Sequence, residues 1–438
     1  MKSILVHNYK PVSMKQNTLH VHAPRVEGNI IRYEYDVQGS WAEAFAAEEV
    51  FFIEYSCDVS QVPVSVLLIP LLSNVLPMAW VYDAAVYVPE CDRAFLESLP
   101  EVKAGFEKMY PMLVFSGELH VEKIVDHTAV SAGGSAAFFS GGVDAFDTLV
   151  RHREEVPTLL TLWGSDIRLT DRIGWERVLQ HLQKTAAEFG VDYVTIRSSF
   201  RLFLQEGVLS LHCKKSGDAW WHGFQHGMGI AGHAAPIAYL KGKQFVYLAS
   251  SFTAADRVTC ASHPEIEGRL KFCSAQMVHD GFEFHRQNKI SHLVQFVRQQ
   301  HHPLNLRVCW ESSGATNCCR CEKCGRTILG ILAEKADPSA FGFTQVPEMK
   351  TLYKDVCCLP PSFRLARYVM IQSALRESYS RESVPADLRE FYGADLSRVP
   401  LRYRLLGLCC RLRKKFYPYY LRMRRCAGRV VRGVLRKK

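Results

Sequence analysis

Two short constellations in the sequence hold residue types that chemistry requires. Ser140-Gly141-Gly142-Val143-Asp144 joins the apolar run Ala136–Phe139 to an amphipathic stretch through Leu149 and Val150. Adjacent glycines bend the backbone tightly and bring its N–H groups against phosphate oxygens with no Cβ in the way. A helix starting behind them adds partial positive charge. Ser140 can donate its hydroxyl to a phosphate, and Asp144 can cap the first turn or help hold Mg²⁺. The plain alternative is an ordinary strand-to-helix turn, where glycine pairs are common. The second constellation is Cys309-x8-Cys318-x2-Cys321-x2-Cys324. Two Cys-x2-Cys steps turn neighbouring thiolates onto one ion, and the fourth ligand closes a tetrahedron suited to Zn²⁺. Four protein ligands make such a site structural, with Arg320 and Lys323 offsetting its negative charge. Cys319 is expected to stay outside the ligand set. Unrelated free thiols, or a redox or iron–sulfur role, are the competing readings.

These residues need a scaffold. From about 134 to 340 short apolar runs (Thr158–Trp163, Tyr193–Ile196, Phe245–Ala249) alternate with helical spacing over Trp175–Phe189 and around Ala234–Leu240. That alternation predicts an α/β fold, a doubly wound parallel sheet covered on both faces, with ligands at the carboxyl ends of its strands. Residues 1–130 mix β-rich runs (Ile30–Tyr35, Val50–Tyr55) with a helix over Arg93–Met109, which predicts an α+β accessory domain. The expected divisions are therefore 1–130, a nucleotide-binding domain with the cysteine knuckle over 131–345, and a helical region over 346–438.

The chain has 438 residues, 48% of them hydrophobic and 22% charged, enough apolar material for sizeable cores. Met1–Pro11 lacks the pattern of a secretory signal. Val64–Val88 is broken by Pro70, Pro77 and Asp83 and reads as buried strands and a helix rather than a membrane span. With no signal and four cysteines at metal spacing, the fifteen cysteines favour the reducing cytoplasm. Of 54 Lys and Arg, fourteen lie in 401–438, a segment without Asp or Glu; the rest of the chain has 40 against 44 acidic residues. The basic character belongs to that tail. Its interleaved Leu, Tyr, Phe and Val suggest a peripheral anchor on the anionic inner face of the membrane, ahead of RNA binding or a solvated extension.

Ser-Gly-Gly-x-Asp-Ser after an apolar strand is the signature of the PP-loop ATP pyrophosphatases, and the chain matches it with Ala145 in place of the last Ser. Loop and knuckle together give residues 136–335 a resemblance to 7-cyano-7-deazaguanine synthase and its relatives, in which a basic residue, here Arg326, follows the cysteines. Ser251, the segment His263-Pro264-Glu265 and Lys289 stand where that family has its post-strand loop, a Tyr-Pro-Asp segment and a Thr-Lys helix start. A weaker resemblance is to the ATP-dependent epimerases of UDP-muramoyl dipeptides. The resemblance implies an adenine-nucleotide fold in which Ser140 to Ala145 bind ATP and Trp163 and Gly164 flank the adenine. It further implies that Asp144 and Lys289 act on the phosphates. His226, in the Gly- and His-rich stretch Trp220–Gly229, is expected on a substrate loop, with Ser251 and His263 also facing substrate. The expected function is an AMP-forming enzyme that adenylates a small-molecule carboxylate or cell-wall or glycan precursor, with ATP, Mg²⁺ and Zn²⁺. A tRNA-modifying enzyme, a muropeptide epimerase and a non-catalytic nucleotide-binding protein are the alternatives.

Overall fold

The computed structural model of the chain describes residues 16–129, 133–256, 258–309, 311 and 316–398; the basic tail lies outside them. β-branched and aromatic runs cut by Gly, Asn and Pro produce the strands. The N-terminal ones are β1 (Thr18–Val21), β2 (Arg25–Glu27), β3 (Ile30–Arg32), β4 (Tyr35–Gln38), β5 (Phe52–Tyr55), β6 (Ala85–Asp92) and β7 (Glu118–Val125). They are followed by β8 (Ser135–Phe138), β9 (Thr158–Trp163), β10 (Tyr193–Ser198), β11 (Phe245–Ala249), β12 (Lys271–Phe272) and β13 (Ala275–Asp280). The helices used below are α1 (Val64–Leu67), α2 (Ile69–Val81), α3 (Arg93–Met109), α4 (Val143–Arg151), α5 (Arg172–Phe189) and α6 (Glu206–His212). After them come α7 (His226–Gly232), α8 (Ala235–Lys241), α9 (Arg286–Gln300), α10 (Glu322–Ala333), α11 (Met349–Cys358) and α12 (Pro361–Ser378).

The fold is α/β. Five strands run parallel in the order β13-β11-β8-β9-β10. The chain moves one way from β8 through β9 to β10, then returns to the other side of β8 for β11 and β13. Right-handed crossovers place the intervening helices on opposite faces for the two directions. The order reverses between β8 and β11, which is where open α/β sheets leave a crevice. Antiparallel β5, β3 and β2 extend this sheet beyond β10, and β12 pairs with β13 at the other edge. A second, four-stranded sheet has the order β4-β1-β6-β7.

The described residues up to Lys289 form one compact unit, and those from Ile290 onward form another. This differs from the division at 130 and 345 expected from pattern. The physical reason is that β2, β3 and β5 hydrogen-bond into the large sheet, and one core runs from Leu19 to Met277. Val64–Val88 becomes α1, α2 and the start of β6, with α2 buried along nearly its whole length. No helix among the described residues is long and apolar enough to cross a membrane.

The stretch Trp220–Gly229 is not a loop. Trp221–Gln225 forms a turn of π-helix that leads into α7, and most of both is buried. Its glycines are there for close packing. A Cβ on Gly227 would sit 2.3 Å from the Ala261 carbonyl oxygen, one on Gly229 2.5 Å from Asn74 Oδ1 of α2, and one on Gly232 2.4 Å from Ser73 Oγ. Gln225 Nε2 donates to Asn74 Oδ1 at 2.8 Å and closes the same seam. Behind it, the fully buried His233 accepts from Ser198 Oγ (2.8 Å) and donates from Nδ1 to the Gly229 carbonyl (2.7 Å). Burial holds this imidazole down at about 4.

In the second unit α10 packs against α12, and α12 carries a buried Arg364, which donates to the carbonyls of Leu396 (3.0 Å) and Leu359 (2.7 Å).

Candidate functional site

The glycine turn sits at the carboxyl end of β8, on the flank of the topological reversal. Phe139 N–H still bonds the Leu160 carbonyl at 2.8 Å, so the sheet ends one residue before Ser140. Gly141 then takes φ +76°, a conformation that glycine adopts without strain, and Gly142 is the first residue before α4. The Gly142 N–H donates to Ser140 Oγ at 3.4 Å. Val143 and Ala145 are buried, so what they offer a ligand is backbone N–H rather than side chain.

Asp144, in the first turn of α4, meets two cations from the start of α9. Arg286 Nη1 lies 3.1 Å from one carboxylate oxygen and Lys289 Nζ lies 3.7 Å from the other. The Lys289 side chain is 2% exposed, and its Nζ also donates to the Ser250 carbonyl at the end of β11, 2.5 Å away. Gly281 makes room for this arrangement. It has φ +71°, and a Cβ there would stand 3.0 Å from Arg151 Nη2 and 3.3 Å from Lys289 Cε. The strand ends of β8, β11 and β13 thus converge on one acid and two bases. The sequence reading placed Lys289 here but gave Arg286 no partner; the signal available was two cations three residues apart at a helix start.

A second layer braces α4 against β13. Asp280, 6% exposed, accepts from Thr148 Oγ1 (2.5 Å) and from Arg151, and its other oxygen bonds His152 Nε2 at 3.0 Å. Arg151 also bonds the fully buried Asp147 at 2.9 Å. His152 Nδ1 meets Glu155 at 2.8 Å, and Glu155 accepts from Tyr247 Oη at 2.9 Å. Burial alone would raise the Asp280 carboxyl. The hydrogen bond from His152, the Arg151 charge and the Thr148 bond override it and hold the group well below the usual carboxylate range. For His152, burial works downward, but hydrogen bonds to Asp280 and Glu155 prevail and raise the imidazole above its ordinary value.

The four cysteines converge in the second unit. Their sulfur atoms all lie within 4.8 Å of one another, with Cys309–Cys321 at 3.8 Å and Cys318–Cys324 at 4.0 Å. A tetrahedron with metal–sulfur bonds of about 2.3 Å has edges of about 3.8 Å, so the set fits a four-thiolate metal ion. The backbone N–H groups of Arg320 and Cys321 donate to Cys318 Sγ at 3.4 and 3.2 Å, which orients and electrostatically supports that sulfur. Cys321 is the N-cap of α10, and Cys319 takes the left-handed turn position at φ +57° with its sulfur on the Asn317 carbonyl, outside the group.

Comparison with protein-family models, curated proteins and solved structures finds no match to this chain. What the chain does must be argued from its own residues.

The remaining sequence-derived residues separate by environment. Trp163 stacks on Trp175 (5.1 Å between centroids, 4° between planes), donates Nε1–H to the Arg168 carbonyl and carries Arg197 at 5.5 Å. A Cβ on Gly164 would lie 2.0 Å from the Ser198 carbonyl, so glycine here answers to the neighbouring strand end. Both positions have packing reasons of their own. Ser251 is exposed two residues after the end of β11. His226 and His263 gather elsewhere, around a buried acid that the sequence reading did not single out. Glu267, fully buried, accepts from the His263 N–H and from Ser262 Oγ (3.2 Å) and bonds Nδ1 of His279. His263 lies 6.5 Å from His279 between ring centroids, and burial lowers its imidazole. No spacing in the sequence announces this group, because its members come from α7, a loop and β13. An open cleft lined by Glu97, Glu101, Gln244, Arg269, Lys271 and Gln276 lies at the opposite ends of the strands and coincides with neither cluster.

Proposed function

We propose that the chain is an AMP-forming, ATP-dependent enzyme that adenylates a small-molecule carboxylate. The observation that carries this reading is the glycine turn beside the reversal of strand order, faced by Arg286 and the buried Lys289 across Asp144. A polyphosphate fits that chemistry: Ser140 and the first backbone N–H groups of α4 donate to its oxygens, while the two side chains supply positive charge. The polyphosphate competes with Asp144 for both cations and leaves the carboxylate available to Mg²⁺, which would add charge neutralisation at the phosphates. A substrate carboxylate oxygen attacks the α-phosphorus in line, the bond to the bridging oxygen breaks, and pyrophosphate leaves with its charge met by Arg286 and Lys289. The protein's part is positioning and preorganised charge. The layer of Asp280, Arg151 and His152 fixes the two strand ends that carry these groups. Zn²⁺ in the four-cysteine group would be structural, since no ligand position is left open.

Pyrophosphate release, screened against carboxylate metabolites, cell-wall precursors and tRNA, tests the reading. Asp144→Ala is expected to slow release by about 10²-fold or more, the scale of losing one charge-stabilising group. A variant as fast as wild type would mean that the loop is not the site.

A further inference from the structure

The Glu267 cluster holds a buried base for which adenylation has no use. His279 is the penultimate residue of β13, directly before Asp280, and alternation along the strand sends the two side chains to opposite faces. Asp280 meets α4; His279 meets Glu267 in the short helical turn Glu267–Arg269. The His279 side chain is 2% exposed and that of Glu267 is fully buried. The carboxylate is held on three sides, by His279 Nδ1, the His263 N–H and Ser262 Oγ. An acceptor so placed keeps the imidazole proton on Nδ1 and leaves Nε2 as a lone pair. That Nε2 is buried and has no hydrogen-bond partner among the described residues. A buried polar atom left so is costly in a purely structural histidine and useful in one that awaits a substrate proton.

A second ring shares the neighbourhood. His226 opens α7, and Gly227 beside it abuts Ala261 and Ser262, the latter a partner of Glu267. Its Nδ1 is also buried and without a partner among the described residues, and its ring feels the charges of Asp166 and Glu267. The other ionisable groups about the cluster include His263, Glu265 and Lys108, the last two paired with each other at 2.6 Å, the buried Cys260, whose Sγ accepts from the Ser262 N–H at 3.4 Å, and, beside His226, His222 and Arg201. Register places Leu248 of β11 beside His279, and β11 lies between β13 and β8. The base is thus two strand spacings, about 10 Å, from the strand that feeds the glycine turn.

We propose that His279, oriented by Glu267, is the general base that deprotonates a protic acceptor, an amine or an alcohol, as it attacks the adenylated carboxyl; this rests on the adenylation reading above. The acceptor's nitrogen or oxygen bonds to the acyl carbon, the acyl carbon–phosphate oxygen bond breaks, and AMP leaves with that electron pair. The acceptor's proton passes to Nε2, and the resulting imidazolium is neutralised by Glu267 before it returns the proton to water. His279 is the catalytic residue, and Glu267 a positioning residue that acts through it.

Two measurements on the full chain test this. ¹⁵N NMR of histidine-labelled protein at pH 8 should show His279 as the Nδ1–H tautomer, and Glu267→Ala should move the proton toward Nε2. A wild-type ring protonated at Nε2 overturns the dyad. With a carboxylate found by the pyrophosphate screen, ATP–pyrophosphate exchange reports adenylation, and single-turnover AMP release with amine or alcohol acceptors reports transfer. His279→Asn should leave exchange within about 3-fold while slowing transfer about 10²- to 10⁴-fold. Glu267→Gln should slow transfer less and leave exchange intact. Unchanged transfer in His279→Asn overturns the proposal. Exchange absent with every carboxylate refutes adenylation instead, and the ring's tautomer then decides the dyad alone.

Discussion

Asp280→Asn removes the charge that two cations share. In the wild type Arg151, with 21% of its side chain exposed, is neutralised by Asp280 and Asp147, and His152 by Asp280 and Glu155. Breaking a buried pair by removing one partner costs about 3–5 kcal/mol. Because Asp147 remains to Arg151 and Glu155 to His152, the lower end, about 3 kcal/mol, is expected here. The pH dependence has a definite sign. Asp280 is held below its unfolded value, so its contribution is present above about pH 4 and is lost as pH falls through the folded value. His152 is raised, so its contribution is complete below about pH 6.5 and is lost as pH rises through the folded value. The gap between wild type and variant is therefore widest between about pH 4 and 6.5 and narrows above that. Urea unfolding of both proteins at pH 5.5 and pH 8.5, followed by tryptophan fluorescence, measures it. His233, held at about 4 in both, cancels in the difference. Equal midpoints at pH 5.5, or a gap that stays the same at pH 8.5, would refute the account of the network.

Two further outcomes follow from the geometry. Purified protein is expected to carry about one zinc per chain by atomic absorption, and Cys318→Ser to lose most of it; less than one zinc per chain in the wild type would remove the four-thiolate site. Gly227→Ala forces a Cβ to within 2.3 Å of the Ala261 carbonyl and 2.5 Å of Ser262 Cα, an overpacking of about 1–3 kcal/mol that lowers the thermal midpoint. A midpoint equal to wild type would show that α7 can shift away freely.

Elements with strong local signals were legible. Thr158–Trp163, Phe245–Ala249 and Arg93–Met109 occur with the bounds that their apolar runs and spacing predict, since each is flanked by residues that end it. The cysteine group was legible for the same reason: its geometry is written into two steps of three residues. Contacts between distant segments were not. Arg197 bonds Glu54 across 143 residues, and no pattern in Ile30–Tyr55 tells whether those strands extend a sheet or form their own. Glycines were ambiguous as well. In Gly141 they mark a turn, whereas in Gly227, Gly229 and Gly232 they mark helices pressed together, and the letter is the same. The Glu267–His279 pair had no signature, because a carboxylate and an imidazole twelve residues apart become partners only when β13 folds back.

The extension of the large sheet by β5, β3 and β2 sets an order of events during synthesis. These strands leave the ribosome well before the edge they join, β10, which lies 143 residues downstream of Glu54 at Arg197. At about 5–20 residues per second the early strands wait roughly 7–30 s with open hydrogen-bonding edges. Pairings this distant also fold slowly, because the loop must close before the contacts reward it. Nascent chains that stall before β10 therefore present adhesive strands with no proper destination, and the cell's capacity to shield them governs the yield of finished protein.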